Sequence, residues 1–125
     1  MPTDLHVEAP DKPGALAEIG RALGNAAINL AGGCATTGGG VGHLHLLVKD
    51  ADKATEVIEK AGFTVTGRSE PIIITDVDDV PGFLGQIAWT VAEAGVNIEA
   101  FYVGTDTRIV LICSDPAAAR AALGL

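Results

Sequence analysis

The residues best suited to handling a small charged molecule occur twice in this chain. Asp11-Lys12-Pro13-Gly14-Ala15-Leu16 returns as Asp79-Val80-Pro81-Gly82-Phe83-Leu84, and Asn29 returns as Asn97, all at an offset of 68 residues. Between motif and asparagine the copies also share Ile19/Ile87 and Ala26/Ala94. A period this long, in register at both ends, marks a duplicated supersecondary unit. The chemistry these residues offer is that of a cradle for a zwitterion. A helix start with free N–H groups attracts a carboxylate, and glycine lets a ligand approach the backbone. An Asp carboxylate and an Asn Oδ1 accept hydrogen bonds from an α-amino group. The same residues also have structural uses: Asp11 and Asp79 as helix caps, the glycines in turns, the asparagines at helix-to-strand corners.

The loops differ between copies. Asp76, Asp78 and Asp79 crowd the second, where the first has Glu8, Asp11 and Lys12. An acidic crowd favours a cationic group or a metal ion and disfavours an acidic ligand side chain. All three histidines, His6, His43 and His45, fall in the first copy. With Glu8 they form a second candidate constellation, a metal site on a sheet face. A polar sheet face or a subunit contact is the competing account. Cys34 and Cys113 are far apart, without metal or redox spacing, and read as apolar fillers. Ser69 and Ser114 have no evident histidine partner, so no nucleophile–base pair is visible and no enzymatic activity is expected.

The elements that position these residues follow from periodicity. Thr3 to Ala9 alternates, with Leu5, Val7 and Ala9 on one face and Asp4, His6 and Glu8 on the other, as in a half-buried strand. The Asp11–Gly14 turn opens a helix at Pro13, continued by Leu16, Ile19, Leu23 and Ala26. Ile28–Thr37 and Val41–Val48 read as strands joined by a hairpin at Gly38-Gly39-Gly40. Asp50 starts a helix that Gly62 ends, and Phe63–Gly67 is a short fourth strand. The second copy reads as strand Ile72–Asp76, helix Pro81–Ala94, strand Val96–Val103, turn Gly104–Thr107, strand Arg108–Cys113, and a helix from Pro116 capped by Ser114 or Asp115.

The order is βαββαβ, the ferredoxin-like arrangement. The fold expected is therefore α+β, two tandem ferredoxin-like units over residues 1–68 and 69–125, the second lacking its last strand. On the central strands of the first unit, His6, Glu8, His43 and His45 are expected opposite the helices. In the second unit, Ile72, Ile74, Val110 and Ile112 are assigned to the face away from the helices, and Ile73, Ile109 and Leu111 to the helix side. Strands apolar on both faces are buried on both. This sheet is therefore expected to pack on another, within the chain or across a dimer.

Bulk properties narrow the function further. The chain has 125 residues, 48% of them hydrophobic, and a formal charge of −8. Its eight Lys and Arg residues form no cluster, which excludes nucleic acid and anionic membrane as expected partners. No apolar run approaches a membrane span, and the N-terminus lacks signal-peptide features, so a cytoplasmic protein is expected. A unit of about 60 residues is marginal by itself, which favours paired units or a homodimer.

A βαββαβ unit whose first loop reads Asp-x-Pro-Gly-x-Leu, followed by Ile28-Asn29 or Val96-Asn97, resembles the ACT domain. ACT domains are small regulatory modules that sense amino acids. The whole chain is similar to two of them in tandem. The resemblance implies a non-catalytic, allosteric sensor of a small amino acid or related metabolite, with no cofactor, binding where two ACT units meet edge to edge. It assigns ligand contacts to Asp11, Gly14 and Asn29 and to Asp79, Gly82 and Asn97. Their neighbours Pro13, Ala15, Leu30, Pro81, Phe83 and Ile98 complete the expected set. The alternatives are an assembly module without ligand and, further off, a metal-binding protein using His6, Glu8, His43 and His45.

Overall fold

A computed structural model describes all 125 residues, Met1–Leu125. The chain divides into two compact units, Met1–Ser69 and Glu70–Leu125. The first contains β1 (Thr3–Pro10), α1 (Ala15–Asn25), β2 (Gly32–Gly38), β3 (Val41–Val48), α2 (Ala51–Lys60) and β4 (Thr64–Ser69). Its antiparallel sheet has the order β2-β3-β1-β4, so β1 and β3 are central. Alternation along β1 and β3 sends Leu5, Val7, Leu44 and Leu46 into a core with Ile19 and Leu23 of α1 and Ala54 and Ile58 of α2. Leu5, Ile19, Leu23 and Ile58 lose nearly all exposure. Each such side chain contributes about 1.5–3 kcal/mol.

The starts of three elements differ from the sequence reading. Helix α1 begins at Ala15 rather than Pro13, because Gly14 is left-handed at φ 91° and ends the turn there. No side chain caps this helix, so Asp11 does not have the expected capping role. Strand β2 begins at Gly32, not Ile28. Ala31 still bonds its N–H to Leu47 O at 2.9 Å, but Ile28–Leu30 would need partners beyond Val48, where β3 ends and the chain turns into α2. Ile28 and Leu30 instead pack against the core. The hairpin is a two-residue turn in which Gly39 and Gly40 both have positive φ, 63° and 80°, as the type I′ geometry requires. Strand β4 starts one residue late, at Thr64.

The second unit contains β5 (Ile72–Ile74), α3 (Phe83–Glu93), β6 (Ile98–Val103), a 3-10 turn (Thr105–Thr107), β7 (Ile109–Cys113) and α4 (Pro116–Ala122). Its three-stranded sheet has the order β5-β7-β6. Asp115, not Ser114, caps α4, accepting the Ala118 N–H at 3.1 Å. Strand β5 has three residues where five were expected, α3 starts at Phe83, and β6 starts at Ile98.

The face assignment of β5 is corrected. Ile72 pairs with Leu111 and Ile74 with Ile109, and directly paired residues share a face. Ile72, Ile74, Ile109 and Leu111 therefore line the core with Ile87 and Val91 of α3. Ile73 belongs to the opposite face, paired with Val110. The alternation was right within each strand, but the register between them was one residue off. Val110 and Ile112 are buried.

Candidate functional site

The doubled loop has one backbone geometry in both units. Gly14 and Gly82 are the N-caps of α1 and α3, left-handed at φ 91° and 89°, and neither 11-residue helix has a side-chain cap. A side chain at such φ is strained, so the motif's glycine is a backbone requirement. The Ala15 N–H bonds to Lys12 O at 3.4 Å and the Glu18 N–H to Gly14 O at 2.9 Å. Phe83 and Gln86 repeat this with Val80 O and Gly82 O. The N–H groups between them, of Leu16 and Ala17 and of Leu84 and Gly85, have no partner within the chain. These orphan donors are the requirement for holding an anion at a helix start.

In the first unit the loop borders a pocket of about 340 Å³, lined in part by Asp11, Lys12, Leu16, Thr36, Thr37 and Leu44. The volume suits a small metabolite. A carboxylate, an ammonium and two hydroxyls stand at apolar walls, the combination a small zwitterion with an aliphatic part needs. The Asp11 N–H bonds to Gly40 O at 3.2 Å, tying the loop to the glycine turn. Asp11, Pro13 and Gly14 are exposed, and Ala15 is buried beneath them. In the second unit Asp79, Pro81 and Gly82 are likewise exposed, with Phe83 half-buried.

The asparagines stand apart from these loops. An 11-residue helix is about 16 Å long, and it separates Asp11 and Gly14 from Asn29. Asn29 borders a different recess, with Ala27, Ile28, Lys49, Asp50 and Lys53. Within one unit the loop and the asparagine are therefore not brought to one pocket. Asn97 holds a tighter corner: its N–H bonds to Ser114 Oγ at 3.0 Å, and its carbonyl accepts the Ser114 N–H at 2.9 Å. Leu30 and Ile98 follow their asparagines half-buried. The lysines flanking Asn29 were missed by the sequence reading. The aligned caps Asp50 and Asp115 point to them, since Lys49 then replaces Ser114 and Lys53 replaces Ala118.

The histidines do share a sheet face. His6 lies directly opposite His45, and Glu8 opposite His43. The His6 and His45 rings stack at 5.0 Å, tilted only 4°, and His6 and His43 are 6.1 Å apart. His45 Nδ1 is 2.8 Å from Oδ2 of Asp4, which has no exposure. The alternation of β1 puts Asp4 on this face, but only the β1–β3 register reveals the pair. No group of three or more His, Cys, Asp or Glu side chains is arranged to hold a metal ion. His6 and His45 are stacked in parallel, whereas the His43 ring is tilted 38° to His6. The four candidates His6, Glu8, His43 and His45 thus form a polar face.

Neither thiol is activated. Burial pushes Cys34 upward, reinforced by the Asp4 charge and opposed by a backbone hydrogen bond at His45. Burial, then the charge of Glu99, pushes Cys113 upward. No helix is long and apolar enough to cross a membrane.

No family model and no curated protein sequence matches the chain. Solved structures do. A protein of Bacteroides thetaiotaomicron is 26% identical with a TM-score of 0.84, over 98% of this chain and 85% of that one. The regulatory subunit of aspartate kinase from Thermus thermophilus, ligand free, is 23% identical with a TM-score of 0.77, over 98% and 88%. The subunit from Thermus flavus is 22% identical with a TM-score of 0.71, over 98% and 91%. In fold, this chain is two ferredoxin-like units in tandem, the second with three strands, similar to the aspartate kinase regulatory subunits.

Proposed function

We propose that the protein is a non-catalytic regulatory sensor that binds a small amino acid or related metabolite at seams between ACT units. The observation that carries this reading is the pair of uncapped helix starts. Gly14 and Gly82 hold the same left-handed conformation, each leaving two N–H groups without a partner. Neither start is closed by Asp11 or Asp79, which leaves those carboxylates for a ligand's ammonium group. In this reading Asp11, Pro13, Gly14 and Ala15 supply one half-site and Asn29 and Leu30 the other. Asp79, Pro81, Gly82, Phe83, Asn97 and Ile98 are their counterparts in the second unit. In this reading the two halves of one site come from different units, since loop and asparagine lie at opposite ends of one helix.

A homodimer in the cytoplasm fits the same reading. The edge strand β6 leaves Phe101 and Val103 half or more exposed, at 52% and 60%, and β2 is an edge strand beside the loop pocket. Light scattering should give twice the 12.7 kDa chain mass. The central test is melting of the full chain against each common amino acid. A ligand at 100 times its Kd adds about 2.7 kcal/mol of stability. The shift should shrink in Asn29→Ala or Asn97→Ala, whichever unit is occupied, with the unliganded melting temperature unchanged. If no amino acid shifts the transition, the sensor reading is wrong for these ligands.

A further inference from the structure

The recess beside Asn29 concentrates unpaired positive charge in a chain of net charge −8. Of the eight cations, Lys60, Arg68, Arg108 and Arg120 pair with carboxylates at 3.2, 2.8, 3.7 and 3.1 Å. Lys49 and Lys53 have no carboxylate partner, and both border this one recess of about 280 Å³. The single acid there, Asp50, turns Oδ1 to the Lys53 backbone N–H at 3.0 Å. That bond also takes a donor of α2's first turn, so the recess owes its attraction for an anion to the lysine side chains and Asn29. The backbone N–H of Asn29 has no partner in the chain, and its side-chain amide makes no hydrogen bond either. Beside it Ala27 is left-handed at φ 57°, a conformation costly for a residue with a Cβ.

The second unit isolates the relevant chemistry. Its corner has the same asparagine and the same aspartate cap, but Ser114 and Ala118 occupy the lysine positions. There Ser114 closes the Asn97 backbone through two hydrogen bonds. The first unit has exchanged that closure for two ammonium groups and an open amide.

We infer that the Asn29 recess is a subsite for a compact oxyanion, a carboxylate, so that the ligand of the first unit is a small dicarboxylate of the acidic amino acid class. The ammonium groups of Lys49 and Lys53 hold the second carboxylate, and Asn29 donates to it or to the ligand's backbone. The ligand class rests on the amino-acid reading above; the oxyanion subsite does not.

Calorimetric titration of the full chain tests this with L-aspartate, L-glutamate, their amides L-asparagine and L-glutamine, succinate, and inorganic phosphate. The comparison protein is K49Q/K53Q, whose changes lie on exposed residues and leave the Asp50 cap intact. The acids should bind about tenfold more tightly than their amides, the size of a charge-assisted hydrogen bond. K49Q/K53Q should abolish that preference, and added salt should weaken it. Equal binding of acids and amides, or a preference that survives K49Q/K53Q, overturns the inference while leaving the sensor reading standing. Lysine-dependent binding of succinate with no amino acid bound upholds the subsite and ends the amino-acid reading. Phosphate binding with no carboxylate bound overturns the carboxylate assignment, and no binding by any of them overturns both.

Discussion

At the starts of α1 and α3 the two units agree closely: Gly14 at φ 91°, ψ −12° and Gly82 at φ 89°, ψ −4°. At the asparagine corners they part, Asn29 beside two unpaired lysines and Asn97 locked to Ser114. The difference teaches which features a duplicated unit must keep. A left-handed glycine is demanded by the backbone, so both copies retain it. Side chains around a corner are under no such demand once a backbone path exists, and there the copies have diverged in charge.

The comparison is tested most severely in the cores. Ile19 and Ile87 occupy equivalent places on α1 and α3, but Ile19 has no exposure and Ile87 retains 8%. Ile→Ala should cost about 2–5 kcal/mol in urea unfolding, with Ile19 toward the upper end. The first unit closes its core with four strands and the second with three, so the Ile87 site has fewer walls and more freedom to collapse. A larger loss at Ile87 than at Ile19 would reverse this ranking of the two cores.

Smaller effects are expected at the second helices. Asp50 and Asp115 make the same bond, to the N–H three residues on, at 3.0 and 3.1 Å. Asp→Ala at either should cost about 1 kcal/mol. Helix α4 has seven residues against ten in α2, so it has fewer internal bonds to hold it once the cap is gone. Amide exchange should therefore quicken along all of α4 in Asp115→Ala, but only in the first turn of α2 in Asp50→Ala. Equal responses would mean that packing of Ala119 or Ala54, not the cap, fixes both helices.

Much of this architecture was legible because its signals are local. Alternation in β1 and β3, the glycine turn at Gly39-Gly40, and the Asp-capped helices each depend on residues a few positions apart. The errors came where a distant partner decides. Ile28–Leu30 stay out of strand β2 because β3 runs out at Val48, which nothing in those three residues signals. The face of β5 was inverted because its pairing with β7 is a register, and three consecutive isoleucines carry no alternation to reveal one. The candidate site divides along the same line. The loops were readable as a repeat, whereas the Lys49–Lys53 recess and the Asp4–His45 pair depend on which elements meet.

The cysteines offer the finest distinction between the units. Both thiols are raised above the ordinary range by burial first and a nearby carboxylate second, Asp4 for Cys34 and Glu99 for Cys113. The thiolate is the reactive form, so a raised pKa means less of it at neutral pH. Alkylation by iodoacetamide at pH 7.5 should thus be slower than for a free thiol. Its rate should keep climbing about tenfold per pH unit past about 8.5, where an unperturbed cysteine levels off. Only Cys34 has an opposing backbone hydrogen bond, at His45, and access favours the same thiol. Cys34 lies half-buried on the edge strand β2, whereas Cys113 is 6% exposed, on the central strand β7. Mass spectrometry of peptides should therefore find Cys34 modified well before Cys113. Simultaneous modification would mean that the second unit opens as readily as an edge strand of the first, and that its three-stranded sheet is the weaker half of the molecule.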